Sequence, residues 1–240
     1  MSAELFTKDN IESYIKHFSN EFRKLNGKKT PAEIILVGGA AIILKYNFRE
    51  STKDIDAIIL STSVIKDAIN ITGEKYNLPN DWLNMDFKNT KSYSDKLFEV
   101  SKHYKKFSNI LEVRLIDSEY LIAMKLMAGR EYKNDLSDIS GILLEHKKNN
   151  MEIKIDDIKK AVEYLYNDWN NLPEKSRNLI DMIYKKEDFD KTYYESIEYE
   201  KHAKEKLLEF DIEYPGVLKE DNINNILNSI NIKEKEIKYD

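Results

Sequence analysis

Asp54 and Asp56 stand two residues apart in DIDAIIL, a run that is otherwise apolar. On an extended strand side chains alternate, so residues two apart project from one face. Two carboxylates held that close repel each other unless a cation lies between them, and hard carboxylate oxygens suit Mg²⁺ or Mn²⁺. The same pattern also fits an edge strand with one polar face. Upstream, EIILVGGAAIILKY sets Gly38 and Gly39 side by side in a chain with only seven glycines. A strand that ends in two glycines and turns into a helix lets a phosphate approach bare backbone. The free N–H groups and the positive dipole end of that helix then favour the anion. An anion cradle one short helix ahead of a carboxylate pair is what a nucleoside triphosphate with its divalent cation requires. Lys125 is the third chemical oddity, a cation among Leu121, Ile122, Met124 and Ala128. An unpaired buried ammonium is costly, so Lys125 either snorkels along its aliphatic stem or meets an anion. If that anion is a phosphate, Lys125→Met is expected to keep or raise stability, because it removes an awkward charge, while lowering the chemistry the lysine serves.

Positioning these groups requires alternating strands and helices, and the sequence reads that way. Ile11, Tyr14, Ile15, Phe18, Phe22 and Leu25 recur at helical steps over residues 9–26, with Gly27 as the stop. EIILV, DIDAIIL and NILEVRLI read as three strands, and AAIILKY as a helix between the first two. Ser61 or Thr62 is the expected cap of the helix after DIDAIIL. Residues 74–93 read as an ordered loop anchored by Trp82. Asp117 and Ser118 cap a helix through EYLIAMKLMAG, and DLSDISGILLEHKK forms the next. Asp135 and Asp138 at its head read as a cap and a first-turn acid that suits the dipole. From about residue 150 the chain becomes a series of amphipathic helices punctuated by Pro173 and Pro215.

Composition narrows the chemistry. The chain has 240 residues, no cysteine, and four histidines without metal-ligand spacing, so thiolate chemistry is excluded and zinc is disfavoured. Neither a signal-type apolar core at the N-terminus nor a run of eighteen apolar residues is present, and a cytoplasmic protein with no membrane partner is expected. A net charge of −5 gives no global nucleic-acid footprint. Lys88, Lys91, Lys96, Lys102, Lys105 and Lys106 offer either a local one or a solvated face.

Taken in order, Gly38–Gly39, RESTKDID (49–56), YLIAMKLMAGR (120–130) and NDLSDI (134–139) resemble the nucleotidyltransferase superfamily, with its Gly-Gly or Gly-Ser motif followed by Asp-x-Asp. Within it they look like the bacterial abortive-infection and toxin–antitoxin branch. The resemblance covers roughly residues 33–146. It implies an α+β fold: a mixed β-sheet flanked by helices over residues 1–150, followed by a helical C-terminal domain over 151–240. It also implies transfer of a nucleoside monophosphate from an NTP to an acceptor hydroxyl on RNA, tRNA, protein or a small molecule, with a cognate antitoxin as a partner. Under this resemblance Gly38, Gly39, Arg49, Ser51, Thr52, Lys125 and Arg130 bind the nucleotide, and Asp54 and Asp56 hold Mg²⁺ or Mn²⁺. Many members use a third carboxylate on a later strand, for which Glu112 is the natural candidate and Asp86 the alternative. Asp135 and Asp138 match functional acids that orient Lys125 or Arg130, and Trp82 and Asn84 match a local family feature. Because Gly39 is then taken to face ligand, Gly39→Val is expected to weaken NTP binding and leave the fold intact. Two rivals share these motifs. A sugar-nucleotide glycosyltransferase needs several βα units before its Asp-x-Asp, and only 53 residues precede Asp54 here. A catalytically idle binding module of the same fold would lack a third carboxylate near the pair.

Overall fold

The apolar run ahead of the glycine pair becomes the middle strand of a five-stranded sheet in a computed structural model of the protein, which describes residues 5–27, 30–60, 64–219 and 222–237. A short strand, β1 (Phe6–Thr7), leads into α1 (Lys8–Leu25), whose Ile11, Ile15, Phe18 and Phe22 are fully buried on one stripe. Next come β2 (Ala32–Leu36), α2 (Gly38–Lys45), β3 (Ser51–Thr52), β4 (Ile55–Leu60), α3 (Val64–Tyr76) and β5 (Leu83–Asn84). The sheet is completed by β6 (Ser101–Phe107) and β7 (Leu111–Ile116), and α4 (Ser118–Ala128) and α5 (Asp135–Lys148) follow. After residue 150 the elements are α6 (Ile155–Tyr166), α7 (Glu174–Lys186), α8 (Phe189–Glu213) and α9 (Ile223–Ile237).

The strand order is β5-β4-β2-β7-β6, while β1 and β3 form a separate antiparallel ribbon. β2 runs antiparallel to β4 and parallel to β7, so the sheet is mixed. Ile34, Ile35 and Leu36 are all fully buried, because a central strand covered on both faces has no polar side to show. Five strands stand where three were expected. β6 (SKHYKKF) escaped because it is an edge strand whose lysines guard against further pairing, and β5 is only two residues long. The proposed cap at Ser61 or Thr62 lies outside the described residues. Trp82 is buried as expected, its indole N–H donating to the Ile69 carbonyl at 3.2 Å.

The later helices wall in the site-bearing ones. α6 and α7 pack on α4, and α8 lies along α5. Ile158, Val162, Ile180, Ile183 and Phe189 join the same buried cluster as the strands. The result is an α+β molecule, a mixed sheet flanked by helices and continued by a helical C-terminal region. Among the described residues no helix is long and apolar enough to cross a membrane.

Candidate active site

β4 ends its pairing with β2 where the chain crosses into α2: the Val37 N–H donates to the Asp56 carbonyl at 3.0 Å, which sets Asp56 beside the first turn of α2. No side chain caps that turn. Gly38 adopts φ +57°, the left-handed region, and a Cβ there would lie 3.2 Å from Asp56 Oδ2. Glycine thus relieves backbone strain and lets the Asp56 carboxylate close on the helix start. Gly39 is needed for another reason. A Cβ on it would fall 2.7 Å from both Arg49 Nη2 and Thr52 Oγ1. The missing side chain seats Arg49, so the expectation that Gly39 faces open ligand space is corrected. Gly39→Val is therefore expected to displace Arg49, to lower stability by about 1–3 kcal/mol as overpacking does, and to weaken nucleotide binding as well. Thermal melting with calorimetric NTP titration checks this; a variant matching wild type in both would contradict it.

Asp54 is partly exposed and Asp56 half-buried, with Thr52 Oγ1 3.5 Å from Asp54 Oδ1. Burial, then the charge of Asp54, pushes the Asp56 carboxyl above its ordinary range, while Lys125, Arg130 and a hydrogen bond from Asn84 act against the rise. β5 supplies Asn84 by pairing it directly with Asp56. Ser51 and Thr52 pair with Thr7 and Phe6 on β1, and the Ser51 carbonyl accepts from Arg49 Nε at 3.2 Å.

Facing Asp56 is a chain of ion pairs. Lys125 is 8% exposed, and its Nζ lies 2.8 Å from both Asp135 Oδ1 and Asp138 Oδ2. It does not snorkel. Burial works against its charge, but Asp135 and Asp138 outweigh burial and hold the ammonium above its ordinary range. Arg130 grips Asp135 with two nitrogens, Nε at 2.9 Å and Nη2 at 3.1 Å, and Arg49 pairs with Asp138. Burial would raise Asp135; Lys125 and Arg130 instead pull it down to about 2. Three cations against two anions leave one net positive charge next to the Asp54–Asp56 pair. Asp135 does not cap α5, whose N-cap is Asn134; Asp135 and Asp138 lie in its first turn, where both orient Lys125 and each also holds an arginine.

Glu112 is not part of this group. It pairs with Glu33 across β2, Glu33 pairs with Leu60 on β4, and Leu60 lies four residues from Asp56. At about 3.3 Å per residue that is some 13 Å along the sheet. Its carboxylate bonds His103 instead. Strand alternation placed Glu112 on a face but not at a height, and the height disqualifies it. Asp86 is exposed, two residues beyond Asn84, with its N–H bonded to Asn84 Oδ1 at 3.0 Å. Among the described residues no set of three acidic, histidine or cysteine side chains could hold a metal ion. Mg²⁺ nevertheless fits the pair that is present. It is usually held by one or two carboxylates and substrate phosphates while keeping several waters. The lysine series is dispersed into other work: Lys102 pairs with Asp117 at 2.9 Å, Lys105 with Glu12 at 2.6 Å, and Lys96 donates to the Tyr164 carbonyl at 2.6 Å.

Two contributors carry little signal in the sequence. Asn84 was singled out only through the resemblance, and its contact with Asp56 depends on the two-residue strand β5. Glu200 on α8 is 2% exposed and bonds the first turn of α5. The available clue was its place in the stripe Ser196, Glu200, Ala203, Leu207, where a carboxylate interrupts the buried face of a helix.

A mixed sheet with an acidic pair at the start of β4, beside an uncapped helix start and a cationic cluster, is an arrangement whose helix amides and cations suit an anionic phosphate ligand. The chain belongs to the family described as nucleotidyltransferase of unknown function (DUF6036), whose model matches residues 14–207. The match extends past the α5–α6 connection and into α8, beyond the span of the sequence resemblance. No curated protein matches the chain, and no solved structure does.

Proposed function

We propose that the protein transfers a nucleoside monophosphate from an NTP to an acceptor hydroxyl, with Asp54 and Asp56 holding Mg²⁺ or Mn²⁺. The observation that carries this reading is the placement of the two aspartates beside the uncapped start of α2, opposite the net-positive Arg49–Lys125–Arg130 cluster. The acceptor hydroxyl gives up its proton to solvent as its oxygen bonds the α-phosphorus, the α–β bridging P–O bond breaks, and pyrophosphate leaves with the electron pair. The metal supplies charge neutralisation at the phosphates and lowers the cost of the developing negative charge. Gly38 and the first amides of α2 cradle the triphosphate, while Lys125 and Arg130 offset its charge from the other side. Ser51 and Thr52 hold the approach to Asp54, and Asn84 fixes Asp56.

In this reading the acceptor is RNA, tRNA or protein, and the resemblance to the abortive-infection branch favours a toxin that works with a cognate antitoxin. The test is incubation with each α-labelled NTP and Mg²⁺ or Mn²⁺, adding total RNA, then lysate protein, then candidate small molecules. Label in one fraction identifies the acceptor. The position of Glu112 favours a second reading, an idle module that binds nucleotide. NTP binding without transfer to any fraction would establish that reading and end the first.

A further inference from the structure

Glu200 is a buried carboxylate that the reaction scheme leaves unused, and it sits where the site is organised. α5 carries Asp135 and Asp138 in its first turn, yet its own N-cap residue, Asn134, makes no capping bond with its side chain. Asn134 is engaged elsewhere, accepting from Lys204 Nζ at 2.6 Å. The cap comes from α8: Glu200 Oε1 accepts from the N–H groups of Leu136 at 2.8 Å and Ser137 at 3.1 Å, and Oε2 bonds the Ser137 hydroxyl at 2.5 Å. A Ser196–Ser140 hydroxyl contact at 3.1 Å fastens the same two helices one turn further on. Orphan amides at a helix start need such acceptors, and a carboxylate there also meets the favourable end of the dipole.

We propose that Glu200 is the positioning residue of this centre: capping α5 from α8, it aims Asp135 and Asp138 at Lys125, Arg130 and Arg49, and its charge tunes how strongly that cluster attracts phosphate. This rests on the transferase reading above. The charged groups around Glu200 are Asp138 on α5, Arg49 and Glu50 on the segment before β3, and Lys201, Lys204 and Glu205 on α8, with Tyr193 beside them. All of them line one cleft of about 430 Å³ together with Ser51. Burial pushes the Glu200 carboxyl up to about 7, the bonds from Ser137 and Leu136 oppose the rise, and Asp138 adds to it. Both protonation states fit the same heavy-atom positions. The Ser137 hydroxyl donates to an ionised Oε2 and accepts from a protonated one. Titration therefore adds a negative charge beside Asp138 and Arg49 without rearranging the cap.

The sign follows from linkage. The folded value is raised above that of the unfolded chain, so the stabilisation is fully present below the unfolded value and is lost as pH rises through about 7. The experiment compares wild type, Glu200→Gln and Glu200→Ala at pH 6 and pH 8, reading melting temperature together with kcat and KM for the NTP. Glutamine keeps the acceptor and the bond to Ser137 but carries no charge. Its melting temperature relative to wild type should rise between pH 6 and pH 8, and its kcat/KM ratio to wild type should increase about tenfold over the same range, mainly through KM. Glu200→Ala, which uncaps the turn that carries both aspartates, should lower kcat by about tenfold or more at either pH. If the alanine variant does not fold, the glutamine comparison decides alone. A glutamine-to-wild-type ratio that is flat with pH in both melting and KM overturns the proposal, and so does a folded alanine variant with wild-type kcat. A wild-type protein that transfers nothing overturns the transferase reading instead, while the melting comparison still reports on Glu200.

Discussion

Lys125→Met is expected to destabilise the protein by about 3–5 kcal/mol, the cost of removing one partner from a buried ion pair and leaving the other charge uncompensated. The sequence suggests the opposite, because a lone cation among leucines and methionines looks like a burden. In the structure its Nζ is shared at 2.8 Å by two carboxylates that are themselves buried, Asp135 at 3% exposure and Asp138 at 1%. Methionine fills the volume but leaves those carboxylates facing each other. Arg130 and Arg49 still hold one each, which keeps the effect from being larger. Denaturant melts should show a lower midpoint with an unchanged slope, and transfer should fall by about 10²-fold or more even where the variant is folded. A variant as stable as wild type would mean that the two aspartates do not depend on Lys125.

The second large effect is expected at Asp54 and Asp56. Without metal, burial and then the neighbouring charge of Asp54 both disfavour an ionised Asp56, so Asp54→Asn/Asp56→Asn should melt no lower than wild type. Adding Mg²⁺ or Mn²⁺ with an NTP should raise the melting temperature of wild type by mass action on the folded state. The double variant should lose that rise. An equal rise in both proteins would place the metal–nucleotide site elsewhere.

Which parts of this were legible in the sequence follows from the range of the interactions involved. α5 was readable to the residue because its apolar period and flanking charges are local. β2 was readable because a run such as EIILV has nowhere to go but a core. Asp54 and Asp56 were legible as a pair, since alternation along one strand needs no partner. Glu112 misled because height on a sheet depends on register with β2 and β4, which one strand cannot encode. Gly39 misled for a related reason: its neighbour Arg49 is ten residues on in sequence but reaches back across the start of α2. The fate of Lys125 depended on the chain turning at Gly129 so that α5 could face α4. Glu200 needed α8 to be laid along α5, a contact over 63 residues or more.

The most direct measurement is the uptake of α-label from an NTP, in Mg²⁺ and with total RNA or lysate protein as acceptor, by wild type and by Asp54→Asn/Asp56→Asn side by side. Wild type should label one acceptor fraction and release pyrophosphate in equal amount, and the double variant should label none while remaining folded. Undiminished labelling by the folded double variant would contradict the assignment of these aspartates as the metal-holding pair, and with it the centre described for this chain.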